Sequence, residues 1–496
     1  MQLITPSEIT SLIIVYGLVL VSIVWLVTHT EGHTEGFLAA NRNVGVLRGA
    51  LSLAVSWVWA PAIFISSMQA YTKGIPGIFW FTVPNILCFF IFTPLAIRLR
   101  KLAPFGYTLP EFICRRFKGN PAVHLAFLLV FFGYQLGAIV INTLAGGKLL
   151  NTISGIDLRF AIIVMSLIAL SYTLLSGLRA SILTDVIQMI MLLGIAFVLV
   201  PWCIARAGGW TAVMEGLGGV DGSHRSLLDP WIAFSMGIPM TLGLISGPIG
   251  DQVFFQRALA VRKENIAKTF IYGGLLFGIV PITLSLLGFV GATEVNRGVI
   301  SVADPQVVGP IVIGSLLPKA SIFAFTLMAF AGLCSTLDSS LCAISSLGSI
   351  DIFSKYINTK PSDHAIVTAA RVCMVIMTIL GTGIALLQPK LLWCFLVFGA
   401  LASAGLFPTV FALYWKRLPA WGAFWSVILA LGIGTPLSIY ANIIENQYLI
   451  VAASILSVSI GLIVCVISAL INRGQDFDYI AAVKDNKALK FKTITD

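Results

Sequence analysis

About thirteen apolar windows of roughly 20 residues follow one another along this chain, joined by short polar links. No other feature limits the fold so tightly. A bilayer core is about 30 Å thick, which a helix of roughly 20 residues spans. Inside lipid every backbone N–H and C=O must be paired within the protein, so windows of this length predict helices. They run 9–27, 48–70, 78–97, 122–145, 160–175, 182–204, 232–249, 270–292, 320–346, 366–386, 391–415, 420–441 and 448–471. With 58% hydrophobic and only 10% charged residues, the chain exceeds what a water-soluble domain can bury. The expectation is an all-α polytopic membrane protein, with the lipid bilayer as its main partner.

The net charge of +10 is a topology signal and does not point to nucleic acid. Basic residues crowd after odd-numbered windows: Arg98, Arg100, Lys101, Arg115, Arg116 and Lys118 after the third, Arg257, Arg262 and Lys263 after the seventh. Lys416 and Arg417 follow the eleventh, and Arg473, Lys484, Lys487, Lys490 and Lys492 the last. One orientation puts all of them in the cytoplasm, with the N-terminus outside and the C-terminus inside an inner or plasma membrane. Lys73, Lys148, Arg206, Arg225 and Arg297 are the outward exceptions. The first window has no basic flank and reads as a retained span. The eight cysteines form no CxxC and read as packing residues, and the five histidines lack ligand spacing.

The ninth window is the most informative. On a helix Ser335, Asp338 and Ser339 fall at i, i+3 and i+4 and share a face, with Thr336 beside them. Hydroxyls and a carboxylate suit a small hard cation. A carboxylate at mid-membrane costs about 2.5–3.5 kcal/mol on insertion scales. Serines alone would bond back to their own carbonyls; with an aspartate on the same face, an ion site is the reading. The second window carries Pro61, and the seventh carries Pro239, Gly243, Gly247 and Pro248. These windows lie five apart and cross in opposite directions, as broken helices do in inverted-repeat transporters. Carbonyls freed at such a break are cation ligands, and the ninth window could reach the break in the second. Asp185, in the sixth window, reads equally as a functional carboxylate or as a partner of Arg179. Asp251-Gln252 and Asp351 read as structural ends of the seventh and ninth windows. There is no phosphate loop, nucleophile–base pair or metal cluster, so the chain is not expected to be an enzyme, even one using Asp185 and Asp338 as paired acids.

Four stretches together resemble the sodium:solute symporter family. They are Cys334-Ser335-Thr336-Leu337-Asp338-Ser339-Ser340, Ser176-Gly177-Leu178 through Thr184-Asp185-Val186-Ile187-Gln188, Thr108-Leu109-Pro110-Glu111-Phe112 with Arg116-Phe117, and Asp251-Gln252 with Gln256-Arg257-Ala258-Leu259-Ala260. They keep the family's order. The resemblance implies a leucine-transporter-type fold of two inverted five-helix repeats plus flanking helices. The corresponding division is residues 1–44 as a flanking span and loop, 45–204 and 205–417 as the repeats, 418–471 as two flanking spans, and 472–496 as a basic tail. It also implies a sodium site from the hydroxyls of Ser335 and Thr336 and the carbonyls of Gly332, Val55 and Val58. A second sodium site, found in some members, would use Asp185, Ser335, Asp338 and Ser339. Asp338 stands where those members carry serine, so it could strengthen cation binding or hold a proton.

Positions matching sugar contacts in the family's galactose carriers are Ala62, Phe81, Leu244 and Gly247. None offers a polar side chain, which disfavours a sugar because its hydroxyls would go unpaired. The stretch from Ser52 to Phe81 is similar to the urea-transporting branch. The expected function is therefore sodium-coupled import of a small polar solute: urea, a small amino acid or a short carboxylate. Proton coupling on the same fold and a transporter-like membrane sensor are the alternatives, and no obligatory protein partner is expected.

Overall fold

A computed structural model describes residues 4–28, 31–472, 474 and 476–483. The basic tail positions Arg473, Lys484, Lys487, Lys490 and Lys492 lie outside them. The apolar windows fold as helices: α1 (Pro6–Thr28), α2 (Val46–Ser56), α3 (Ala60–Leu102), α4 (Pro121–Ser154), α5 (Leu158–Ser176), α6 (Leu178–Arg206), α7 (Ile238–Ile249) and α8 (Gln252–Ala260). After these come α9 (Ile266–Asn296), α10 (Ala320–Ser346), α11 (Asp363–Leu386), α12 (Leu391–Tyr414), α13 (Ala420–Ile443) and α14 (Gln447–Ile471). Among the described residues, 12 helices are long and apolar enough to cross a membrane. Apolar residues such as Leu18, Leu167, Val198, Ile379 and Ile463 stay exposed on them, which only lipid tolerates at this density. The chain is an integral membrane protein.

Side chains fix where the helices start. Asn120 accepts hydrogen bonds from the Ala122 and Val123 N–H groups at α4, and Asp157 accepts from Phe160 N at 2.8 Å at α5. Ser362 and Asn446 do the same for α11 and α14. Two glycines set the turns. Gly177, between α5 and α6, has φ +54°, and a Cβ there would lie 2.5 Å from Phe37 O. Gly74 has φ +59° and divides α3 into two limbs, and a Cβ there would sit 2.5 Å from Leu217 O. Only glycine fits either place.

The difference between about thirteen predicted windows and 12 long helices has a local cause. The second window is broken into α2 and the first limb of α3, and that limb runs on through Gly74 into the third window. Two further expectations change. Asp251 does follow the end of the seventh span at Ile249, but it is buried and not at the membrane surface. It sits at a break, accepts from Val253 N at 2.7 Å, and so caps α8, every residue of which is buried. Arg257 therefore lies inside the bundle at 1% exposure and is not in a loop. Asp351 does not end the ninth span, which continues through π-helical turns over Leu347–Ile357. Buried Asp351 accepts from Thr108 Oγ1 at 2.6 Å and lies 3.0 Å from His124 Nε2.

The segment before α2 and the end of α8 are joined by backbone. Val44 and Val261 form a parallel bridge, with Val44 N donating to Ala260 O (3.2 Å) and Arg262 N to Val44 O (3.1 Å).

Candidate functional site

The break between α2 and α3 spans Trp57, Val58 and Trp59. Trp59 is extended, and the freed Ala60 N–H donates to the side chain of Asn142 at 2.9 Å. Asn142, on α4, is fully buried and ties its own Nδ2 to Ala138 O at 2.8 Å. It caps a helix that begins inside the protein, where an unpaired N–H would cost about 1–3 kcal/mol.

Across from the break stands α10. Thr336 Oγ1 lies 3.2 Å from Val58 O, 3.2 Å from Gly332 O and 3.4 Å from Ser56 O. One hydroxyl has one hydrogen, so these oxygens form a cluster richer in lone pairs than in donors. The structure thus brings together Thr336, Val58 and Gly332 and adds Ser56. Val55 is one step back: its carbonyl accepts from Val58 N at 2.9 Å. Ser335 turns toward α6, where its hydroxyl donates to Asp185 Oδ1 in a short hydrogen bond.

Asp185 is fully buried. Its Oδ2 accepts from Ser52 Oγ at 2.5 Å and from Arg257 Nη2 at 3.1 Å. Its ionic partner is therefore Arg257; Arg179 pairs instead with Glu31 at 2.7 Å. Burial pushes the Glu31 carboxyl up, but Arg179 and the His33 N–H outweigh this and hold it below the ordinary carboxylate value. Asp338, also fully buried, accepts from Ser181 Oγ (2.7 Å) and Ser339 Oγ (3.3 Å) on Oδ1, and from Tyr172 Oη (2.6 Å) and Thr184 Oγ1 (3.2 Å) on Oδ2. Arg257 Nη2 also donates to Ser339 Oγ at 2.5 Å and Ser181 Oγ at 3.3 Å. Asp185, Ser335, Asp338 and Ser339 thus share one polar cluster, with a guanidinium in it whose place in the sequence, just past an apolar window, resembles a loop.

Aromatic rings wall the other side of the break. Trp57 Nε1 donates to Asn85 Oδ1 (2.8 Å), and Asn85 Nδ2 donates to Phe81 O (2.7 Å). The Trp57 and Trp59 ring centroids are 6.1 Å apart, and Trp59 lies 5.4 Å from Tyr134. Gly247 faces this wall: a Cβ there would come within 2.7 Å of Trp57 and 3.3 Å of Tyr134 Oη. Phe81 acts through its carbonyl, Ala62 is buried in the first turn of α3, and Leu244 is half-buried one turn before Gly247. A cavity of about 700 Å³ opens elsewhere, between the short helix Leu109–Arg116 and residues 476–482, and no residue of this site lines it.

Ser52, Asn85, Asn142, Ser181 and Arg257 were not assigned from sequence. Asn142 had a signal, being a lone amide within a long apolar run, where polar residues are costly.

Two discontinuous helices that meet around oxygen-rich and aromatic surfaces, inside a membrane bundle, define the class of proteins built to surround a small solute within the bilayer. The sodium:solute symporter family model matches residues 37–430, and the chain belongs to that family. It is 24% identical over 462 residues to the urea-proton symporter DUR3 of Oryza sativa subsp. japonica, covering 86% of this chain and 63% of that protein. It is 25% identical over 441 residues to the human high affinity choline transporter 1, covering 83% of this chain and 73% of the other. The chain spans about three fifths of the length of the urea transporters it matches. In fold it is similar to a Na+-coupled sialic acid symporter in a substrate-bound outward-open state, with TM-score 0.81 at 18% identity, covering 95% of this chain and 98% of that one.

Proposed function

We propose that this chain is a sodium-coupled symporter that imports a small polar solute by alternating access. One observation carries the reading: Thr336 Oγ1 lies within 3.4 Å of the carbonyls of Ser56, Val58 and Gly332, at a helix break. With its hydrogen turned away, the hydroxyl joins the carbonyls as a fourth oxygen for a sodium ion. Val55 O is held by Val58 N and the Ser335 hydroxyl by Asp185, so each would have to give up that hydrogen bond to join. Sodium shifts the protein toward one conformation only by binding that conformation more tightly. Bridging α10 to the α2–α3 break, it stabilises the arrangement in which the solute wall is assembled.

Counting α2 with the first limb of α3 as one crossing, and α7 with α8 as another, gives thirteen. Five of these form one repeat within 45–204 and five its inverted counterpart within 205–417. The basic loops then favour an N-terminus outside and a C-terminus inside. The solute side is formed by Trp57, Trp59, Tyr134 and Gly247, backed by Ala62, Phe81 and Leu244. A flat, uncharged molecule such as urea stacks on such rings and donates N–H groups to freed carbonyls. The rice relative's name supports urea as the first solute to test, ahead of small amino acids and short carboxylates.

The test is uptake of labelled urea into proteoliposomes under an inward sodium gradient, with potassium as control. Sodium-stimulated accumulation, weakened in Thr336→Ala but not in Thr336→Ser, is the expected result. Equal uptake in sodium and potassium would end the sodium assignment. The second reading is proton coupling, favoured by two buried carboxylates in one cluster and by the rice relative's name as a proton symporter. Uptake driven by a pH gradient without sodium would select it.

A further inference from the structure

We propose that Arg257 is the resident cation of the second ion site, so that no free sodium binds among Asp185, Ser335, Asp338 and Ser339. This rests on reading the Thr336 cluster as the single sodium site. Arg257 Nη2 reaches three members of the cluster's hydroxyl and carboxylate network: Ser339 Oγ (2.5 Å), Asp185 Oδ2 (3.1 Å) and Ser181 Oγ (3.3 Å). The side chain is 1% exposed, so water does not screen its charge. A sodium placed among those same oxygens would share ligands with a guanidinium, and the two positive charges would repel at low dielectric.

The oxygens are also committed. Each of the four carboxylate oxygens of Asp185 and Asp338 accepts at least one hydrogen bond. Ser335 donates to Asp185, and Ser339 accepts from Arg257 while donating to Asp338. Hydrogens aimed at the carboxylates oppose a cation that needs the same lone pairs. Arg257 Nε and Nη1 make no hydrogen bond among the described residues, so the guanidinium adds spare donors to the cluster and no acceptor. The donor set implied for a second sodium therefore does not fit one here. Arg257 performs its electrostatic task from within the chain, linking α8 to α6 and α10, and leaves one ion per cycle.

The experiment is equilibrium binding of radioactive sodium to the purified full-length chain in detergent, for wild type, Arg257→Gln and Arg257→Gln/Asp185→Asn. Wild type is expected to bind about one sodium per chain, Arg257→Gln about one more, and the double variant to lose that extra ion. Two ions on the wild type, or the same count with and without Arg257, would overturn the proposal. No ion on the wild type and one on Arg257→Gln would uphold the role of Arg257 while refuting the Thr336 site. If Arg257→Gln does not fold, Thr336→Ala decides: loss of the single wild-type ion upholds the proposal, and two ions on the wild type or an ion retained without the Thr336 hydroxyl overturns it.

Discussion

Replacing Asp185 with alanine should be among the most damaging single changes this protein can suffer. The substitution strips Arg257, 1% exposed, of its carboxylate at 3.1 Å. Two hydroxyl oxygens, on Ser181 and Ser339, remain as its partners. Leaving one member of a buried ion pair alone costs about 3–5 kcal/mol. The hydroxyls of Ser52 and Ser335 also lose their acceptor, adding about 1 kcal/mol each. Arg257→Met should cost about 3 kcal/mol, the low end, because Asp185 keeps both hydroxyl donors. The double variant removes both charges, so its cost should fall short of the sum by about 2–3 kcal/mol. Reversible unfolding in mixed micelles, followed by tryptophan fluorescence, measures the four corners of the cycle. Costs that add to within about 0.5 kcal/mol would refute the reasoning.

Three further outcomes follow from the same geometry. Thr336→Ala removes one oxygen from the cluster at the break and should raise the sodium concentration for half-maximal urea uptake by about 10-fold or more, the equivalent of a charge-assisted contact. Asn142→Leu strands the Ala60 N–H and should cost about 1–3 kcal/mol in melting experiments, whereas Asn142→Asp, which keeps the acceptor, should cost less. Gly247→Ala puts a methyl 2.7 Å from Trp57; solute affinity should fall while sodium binding to the purified protein stays within about twofold.

The Thr336 cluster was legible because its signals are local. An i, i+3, i+4 run of oxygens marks α10, and punctuation marks the broken second window. Arg257 was not legible. A basic residue just past an apolar window looks like a cytoplasmic loop residue, and the carboxylate that keeps it inside lies 72 positions away in sequence. The break at Gly250-Asp251 concealed this further, since a carboxylate after glycine and proline resembles a helix end and here caps the next helix. Asn85 and Asn142 act by orienting an indole and capping a backbone break, and those partners exist only once the chain has folded. Ala62, Phe81 and Leu244 came from position alone, and their side chains carry no polar group that would identify a solute.

The backbone seam at Val44 and Val261 has a mechanical consequence. It ties the residues just before α2 to those at the end of α8, so the two half-helices are held together at that end. Parting the halves there breaks two main-chain hydrogen bonds, a cost of about 1–3 kcal/mol that any opening at that end has to meet.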